Sequence, residues 1–110
     1  MNTTQFCKLI GDQACVFMNS NFKILFNQTT KDNFGNWNLN GESQNIGANP
    51  LNNVMVVWHL YDVLGNIVGV TQGLLIPSNL GIGQTTIFNL QENPTSLTGV
   101  PKFYRISFVF

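Results

Sequence analysis

Along Val54–Tyr61 the residues alternate between two sets, with Val54, Val56, Trp58 and Leu60 on one side and Met55, Val57, His59 and Tyr61 on the other. A period of two in β-branched and aromatic residues is the pattern of a strand, whose side chains point to opposite faces in turn. Asp62 and Gly65 interrupt it. An aspartate at the first turn position accepts the backbone N–H two residues on, and a glycine three residues later takes a positive φ without a Cβ clash. With Ile67–Leu75 following, the stretch predicts a hairpin. The same punctuation predicts strands at Ala14–Met18, Phe22–Gln28, Asn36–Asn45, Asn53–Tyr61, Ile67–Leu75, Gln84–Leu90 and Phe103–Phe110. Turn clusters divide them at Lys31–Gly35, Gly47–Pro50, Pro77–Asn79 and Asn93–Ser96. No window carries apolar residues at helical spacing between a cap and a stop. Short, evenly spaced strands predict a sandwich or barrel, and no internal repeat or long linker divides the chain.

Length sets the scale. A chain of 110 residues supports one core, and a seven-stranded sandwich needs about 100 residues. Apolar residues at 44% fill that core, but charged residues are only 9%, against about 25% in typical soluble domains. Sixteen asparagines therefore cover much of the surface. Five basic and five acidic side chains cancel, which removes the repulsion that keeps domains apart and favours self-association. The five cations, Lys8, Lys23, Lys31, Lys102 and Arg105, are scattered, which argues against nucleic acid as a partner. No run approaches the roughly 18 apolar residues of a membrane span. Met1–Gly11 lacks the basic start and long apolar stretch of a signal peptide, leaving the export route open.

The two ends bear on assembly. Tyr104, Ile106, Phe108 and Phe110 alternate with Phe103, Arg105, Ser107 and Val109, which predicts a buried last strand. Residues 1–13 form an arm or extra edge strand ahead of a single sandwich domain at 14–110. Within the arm, Phe6, Lys8, Leu9 and Ile10 make a short β-like segment around Cys7. That segment pairs with its own domain, or it inserts into a neighbouring molecule as an assembly strand. Cys7 and Cys15, with seven residues between them, close an intrachain disulfide, pair between molecules, or stay reduced.

Candidate chemistry is sparse. His59 is the sole histidine, mid-strand and facing away from the Trp58 side, where it reads as a surface residue. No G-x-S-x-G nucleophile elbow occurs, and two cysteines with one histidine are too few ligands for a metal site. The acids Asp12, Asp32, Glu42, Asp62 and Glu92 fall at expected turns or strand surfaces. Trp37, Trp58, Tyr61, Phe88 and Tyr104 alternate with polar neighbours, which places most of them in the core. Asn2-Thr3-Thr4 and Asn27-Gln28-Thr29 match the N-glycosylation pattern, but chance supplies about two such triplets in so asparagine-rich a chain. The residues point to no enzyme and no cofactor.

Trp58-x-Leu60-Tyr61-Asp62 followed by Gly65-Asn66-Ile67-Val68 resembles the signature of the FxLYD domain family, with tryptophan in place of phenylalanine. Trp37-Asn38-Leu39-Asn40-Gly41-Glu42-Ser43-Gln44-Asn45 resembles the family's W-x-V-x-G-E-V-x-N strand. Leu80-Gly81-Ile82-Gly83-Gln84-Thr85-Thr86-Ile87-Phe88 resembles its L-x-P-G-E-T-x-x-F entry, with Ile82 for proline and Gln84 for the acid. The resemblance covers about Phe22–Phe110. It implies an all-β, immunoglobulin-like β-sandwich of about seven antiparallel strands, found outside the cell or on prokaryotic envelope proteins. The motif residues Trp37, Gly41, Trp58, Leu60, Tyr61, Asp62, Gly65, Gly83 and Phe88 are then structural. The expected function is a non-catalytic extracellular or cell-surface module with a structural or protein-interaction role, its partner a protein or its own copies. The alternative is a filament subunit assembled by N-terminal strand addition.

Overall fold

The computed structural model describes residues 7–9 and 21–110. Among the described residues seven strands are present: β1 Cys7–Lys8, β2 Phe22–Lys31, β3 Trp37–Asn45, β4 Met55–Tyr61, β5 Ile67–Leu74, β6 Thr85–Glu92 and β7 Phe103–Val109. They form two antiparallel sheets, a larger one in the order β1-β7-β4-β5 and a smaller one in the order β2-β3-β6. The expected strand at Ala14–Met18 lies outside the described residues, as do Phe6, Ile10 and Cys15.

Alternation builds the core. The small sheet turns Phe22, Ile24, Leu39, Phe88 and Leu90 inward, and the large sheet answers with Val56, Trp58, Leu60, Tyr104 and Ile106. Trp58 and Tyr104 meet edge to face at 6.3 Å, the geometry in which a ring's positive edge faces its neighbour's negative face. At the other end Phe22 stacks on Phe108 at 4.3 Å. Burial fades along β7, so that Phe110 is more than half exposed, although the whole alternating run was expected inside.

Gly41 is where the small sheet comes closest to overfilling. It lies opposite Phe88 in the β3–β6 register, and a Cβ there would strike the Phe88 ring and come within 2.7 Å of the Phe26 carbonyl oxygen. The missing side chain is the space the Phe88 ring fills.

Buried polar groups tie the loops down. Asn45, fully buried, donates from Nδ2 to the Asn49 and Leu80 carbonyls at 3.0 and 3.3 Å, and its Oδ1 accepts the Gly47 N–H at 3.0 Å. Next to it, the Gln84 Oε1 accepts the Gly81 N–H at 2.9 Å, so the glutamine closes the turn at the position where the resembling family has an acid. Tyr104 donates its hydroxyl to buried Asn27. Glu92 departs from expectation: it is 5% exposed and faces inward, its Oε1 lying over Gly69, where an added Cβ would come within 2.7 Å. The inward parity of β6 runs on through Leu90 to Glu92.

Three smaller differences have local causes. β2 runs on to Lys31 because Thr29 and Thr30 keep pairing with Leu39 and Asn38, although the apolar pattern stops earlier. The Asn93–Ser96 cluster forms a single 3-10 turn, with the Asn93 side chain accepting the Thr95 N–H. After β5 the chain leaves the large sheet, and Ile76 exchanges two backbone hydrogen bonds with Ile87 on the edge of the small one.

Candidate functional site

The two outer faces of the sandwich differ in chemistry. On the small sheet the outward cross-strand rows include Thr30–Asn38–Gln91 and Gln28–Asn40–Asn89, amides and hydroxyls, and then Phe26–Glu42–Ile87, whose two apolar members are exposed. On the large sheet they are Leu74–Met55–Val109, Gln72–Val57–Ser107, Val70–His59–Arg105 and Ile67–Tyr61–Phe103. Ile67, Val70, Leu74 and Val109 are each more than half exposed. The cause is local sequence. In β3 every outward position is polar, whereas β4, β5 and β7 carry apolar residues at both parities, so burying one set leaves the other in water.

His59 lies on that apolar face. Its Nε2 is 3.0 Å from the Ser107 Oγ, and Arg105 stands directly opposite in the β4–β7 register. Burial lowers the imidazole's pKa from its usual 6.5, and the Arg105 charge lowers it further, which disfavours the imidazolium. A serine–histidine pair used in nucleophilic catalysis is oriented by a carboxylate that stabilises the imidazolium. Here the charge acting on the ring is a cation, which does the reverse.

At one edge of the face, Cys7 and Lys8 pair with Tyr104 and Phe103, and the Leu9 N–H donates to the Lys102 carbonyl at 3.1 Å. Cys7 and Leu9 are buried, and Cys7 is disulfide-bonded. The chain's other cysteine is Cys15, outside the described residues. The arm residues Cys7, Lys8 and Leu9 are thus gathered on the β7 edge.

The residues shared with the resembling family do not converge. Trp37, Trp58, Leu60 and Phe88 are buried between the sheets and Tyr61 is half-buried on the outer face. Gly41 backs Phe88, while Asp62, Gly65 and Gly83 belong to turns. Gly41 and Phe88 pack against each other, and the Gly65 N–H donates to the Asp62 carbonyl at 3.1 Å.

The two hairpin turns repeat one sequence pattern that alternation alone does not reveal. Asp32-Asn33-Phe34-Gly35-Asn36 and Asp62-Val63-Leu64-Gly65-Asn66 share the pattern D-x-x-G-N, and they fold alike. Asp32 Oδ1 accepts the N–H groups of Phe34 and Asn36 at 2.9 and 3.0 Å, and Asp62 Oδ1 those of Leu64 and Asn66, both at 2.9 Å. In each turn the second oxygen accepts from the asparagine amide, and the glycine adopts φ of 82° or 86°. The N–H of Asn66 is the main influence lowering the Asp62 pKa, opposed by loss of water and helped by the Asn66 amide and the Leu64 and Gly65 N–H groups. For Asp32, loss of water pushes upward, but donors on Asn36, Phe34 and Asn38 together outweigh it and leave the pKa lowered. Each turn holds a large apolar side chain, Phe34 or Leu64, almost fully in solvent.

No family model, no curated protein and no solved structure matches the chain. Among the described residues no group of three or more His, Cys, Asp or Glu is placed to hold a metal ion, and no helix is long and apolar enough to cross a membrane.

Proposed function

We propose that the chain is a non-catalytic module of the immunoglobulin-like β-sandwich type, working outside the cell or on its surface, whose role is to bind a protein surface, in the first place that of its own copies. The exposed Ile67, Val70, Leu74 and Val109 on the outer face of the β1-β7-β4-β5 sheet carry this reading, since exposed apolar surface marks interaction sites. Neutrality supports self-recognition, because five positive and five negative groups give no net repulsion between copies. A disulfide at Cys7 fits an oxidising compartment. The resemblance to the FxLYD family belongs to the same reading, its residues here filling core and turn positions. The cation beside His59 speaks against acid–base chemistry, and five cations in all against nucleic acid. Light scattering on a sizing column over a range of concentrations tests it. Reversible association that disappears in Val70→Lys/Leu74→Lys, with the fold kept by circular dichroism, is expected. A wild type that stays monomeric throughout refutes it.

A second reading, a filament subunit joined by its arm, has its own observation: the position beside β7 is filled from the N-terminal end of the chain. A strand supplied from so far along the chain can be donated to a neighbour. Negative-stain microscopy tests this on the wild type, on a chain lacking Met1–Gln13, and on Leu9→Lys, which leaves every other strand intact. Filaments lost in both variants are expected, and a wild type without filaments refutes it.

A further inference from the structure

β5 is the last strand of the large sheet, with β4 on one side of it. The Leu75 N–H donates to the Val54 carbonyl at 3.0 Å, and because backbone groups in an antiparallel ladder face alternate sides, Gly73, Thr71 and Gly69 also turn theirs to β4. Leu74, Gln72 and Val70 turn theirs outward. The same alternation accounts for what lies beyond them. At one end the Val68 carbonyl accepts the Thr98 N–H at 3.0 Å, and at the other Ile76 exchanges hydrogen bonds with Ile87 at 2.9 and 3.0 Å. Between those two closed points the N–H and C=O groups of Val70, Gln72 and Leu74 have no hydrogen-bond partner among the described residues. Sheet edges in natural proteins are usually guarded by charge or proline. Here β1 carries Lys8, β2 carries Lys23 and Lys31, and Ile76 covers the edge of β6 at Ile87. Ile67–Leu74 carries neither charge nor proline.

We infer that two copies pair β5 with β5, antiparallel about a two-fold axis through Gln72, so that two four-stranded sheets become one continuous sheet. This pairing rests on the self-association proposed above and names the edge through which it runs. In an antiparallel pair, residues whose backbone groups face the shared edge stand directly opposite and exchange two hydrogen bonds. With Gln72 opposite its own copy, Val70 of one molecule stands opposite Leu74 of the other, and every open residue of both strands is satisfied. A shift of two residues brings Val68 or Ile76, already bonded elsewhere, opposite an open residue, so the register is fixed. The strand is its own complement: read in either direction, Val70, Gln72 and Leu74 run apolar, amide, apolar. Across the junction Val70 and Leu74, each more than half exposed in one molecule, cover one another on the outer face, and such cross-strand pairs stabilise a sheet. No charge on the strand opposes the approach, and an interface of this isologous kind closes at two copies. A strand of unrelated sequence would gain the backbone bonds but not the matched side chains.

Amide hydrogen exchange of the full, ¹⁵N-labelled chain, read at low and high protein concentration beside light scattering, tests it. The amides of Val70, Gln72 and Leu74 are expected to slow at least about tenfold as the dimer forms, while those of Thr71 and Gly73, already turned to β4, stay as they are. Gln72→Pro removes one outward N–H, at a position where an edge strand tolerates proline, and is expected to be monomeric with an unchanged circular dichroism spectrum. Gln72→Lys and Gln72→Glu place like charges across the axis, so each is expected to be monomeric alone and the two mixed to associate. These charged variants carry the test where proline disturbs the strand, and either one dimerising as the wild type does overturns the register. Association that leaves the three amides exchanging as fast as in the monomer overturns the edge pairing and leaves association through the outer face standing. A wild type that is monomeric at every concentration overturns both. Slow exchange of the three amides in the monomer also overturns the edge pairing, since the edge is then covered within one molecule.

Discussion

Adding one methyl group at Gly41 tests the packing of the small sheet. Gly41→Ala places a Cβ against the ring of Phe88 and 2.7 Å from the carbonyl oxygen of Phe26. Two effects compete. Alanine gains about 0.5–1 kcal/mol over glycine in a strand, because it loses less backbone freedom on folding. Overpacking a filled core costs about 1–3 kcal/mol, and the upper half applies here. Phe88 is fully buried with no room to swing, and the second obstacle is backbone that is hydrogen-bonded into β2–β3. The clash wins, and the variant is expected to lose about 1–2 kcal/mol, or about 4–12 °C in Tm for a domain of this size. Phe88→Leu removes ring atoms and costs about 1–1.5 kcal/mol alone. In the double variant the added methyl occupies the vacated space, so the cycle should show a favourable coupling of about 1 kcal/mol. Urea titrations of the four proteins, followed by far-ultraviolet circular dichroism, measure it. Gly41→Ala within about 0.5 kcal/mol of wild type, or costs that simply add, would refute the account of why a glycine stands there.

Three further outcomes are expected. Asn45→Ala deletes three hydrogen bonds from a fully buried site and strands the Asn49 carbonyl and the Gly47 N–H, while the Leu80 carbonyl keeps the Leu51 N–H, so a loss of about 2–4 kcal/mol is expected in the same titration. A change below about 1 kcal/mol would mean that the loops hold without it. Ser43 has a buried hydroxyl with no hydrogen-bond partner among the described residues, so Ser43→Ala should be neutral or stabilise by up to about 1 kcal/mol, and clear destabilisation would point to a missed partner. Asp32 and Asp62 have lowered pKa values in the folded chain, so the folded state binds fewer protons than the unfolded one in acid. Their contribution is complete above the unfolded carboxylate pKa of about 3.9 and disappears as pH falls through the lowered folded values. Asp32→Asn/Asp62→Asn is therefore expected to flatten the acid limb of Tm against pH, and parallel limbs in variant and wild type would contradict it.

How much of this was legible in the sequence depends on whether contacts are local. β3, β4, β5 and β7 lie within a residue or two of their expected bounds, because strand alternation and turn chemistry are short-range. The β4–β5 hairpin was readable from Asp62 and Gly65 alone, since both hydrogen bonds and φ are decided within five residues. Its twin at Asp32 was equally readable in principle, through the repeated D-x-x-G-N. What periodicity cannot supply is which parity faces the core when both are apolar. Met55 and Val57 alternate with Val54 and Val56, and only the opposing sheet decides between them. Glu92 shows the converse. A charged residue reads as exposed, yet the parity of a strand already committed to Phe88 and Leu90 carries it inward. The cleft lined by Lys8, Lys31 and Lys102 was beyond reach because these residues are scattered in the sequence, and only the antiparallel ladders bring them together.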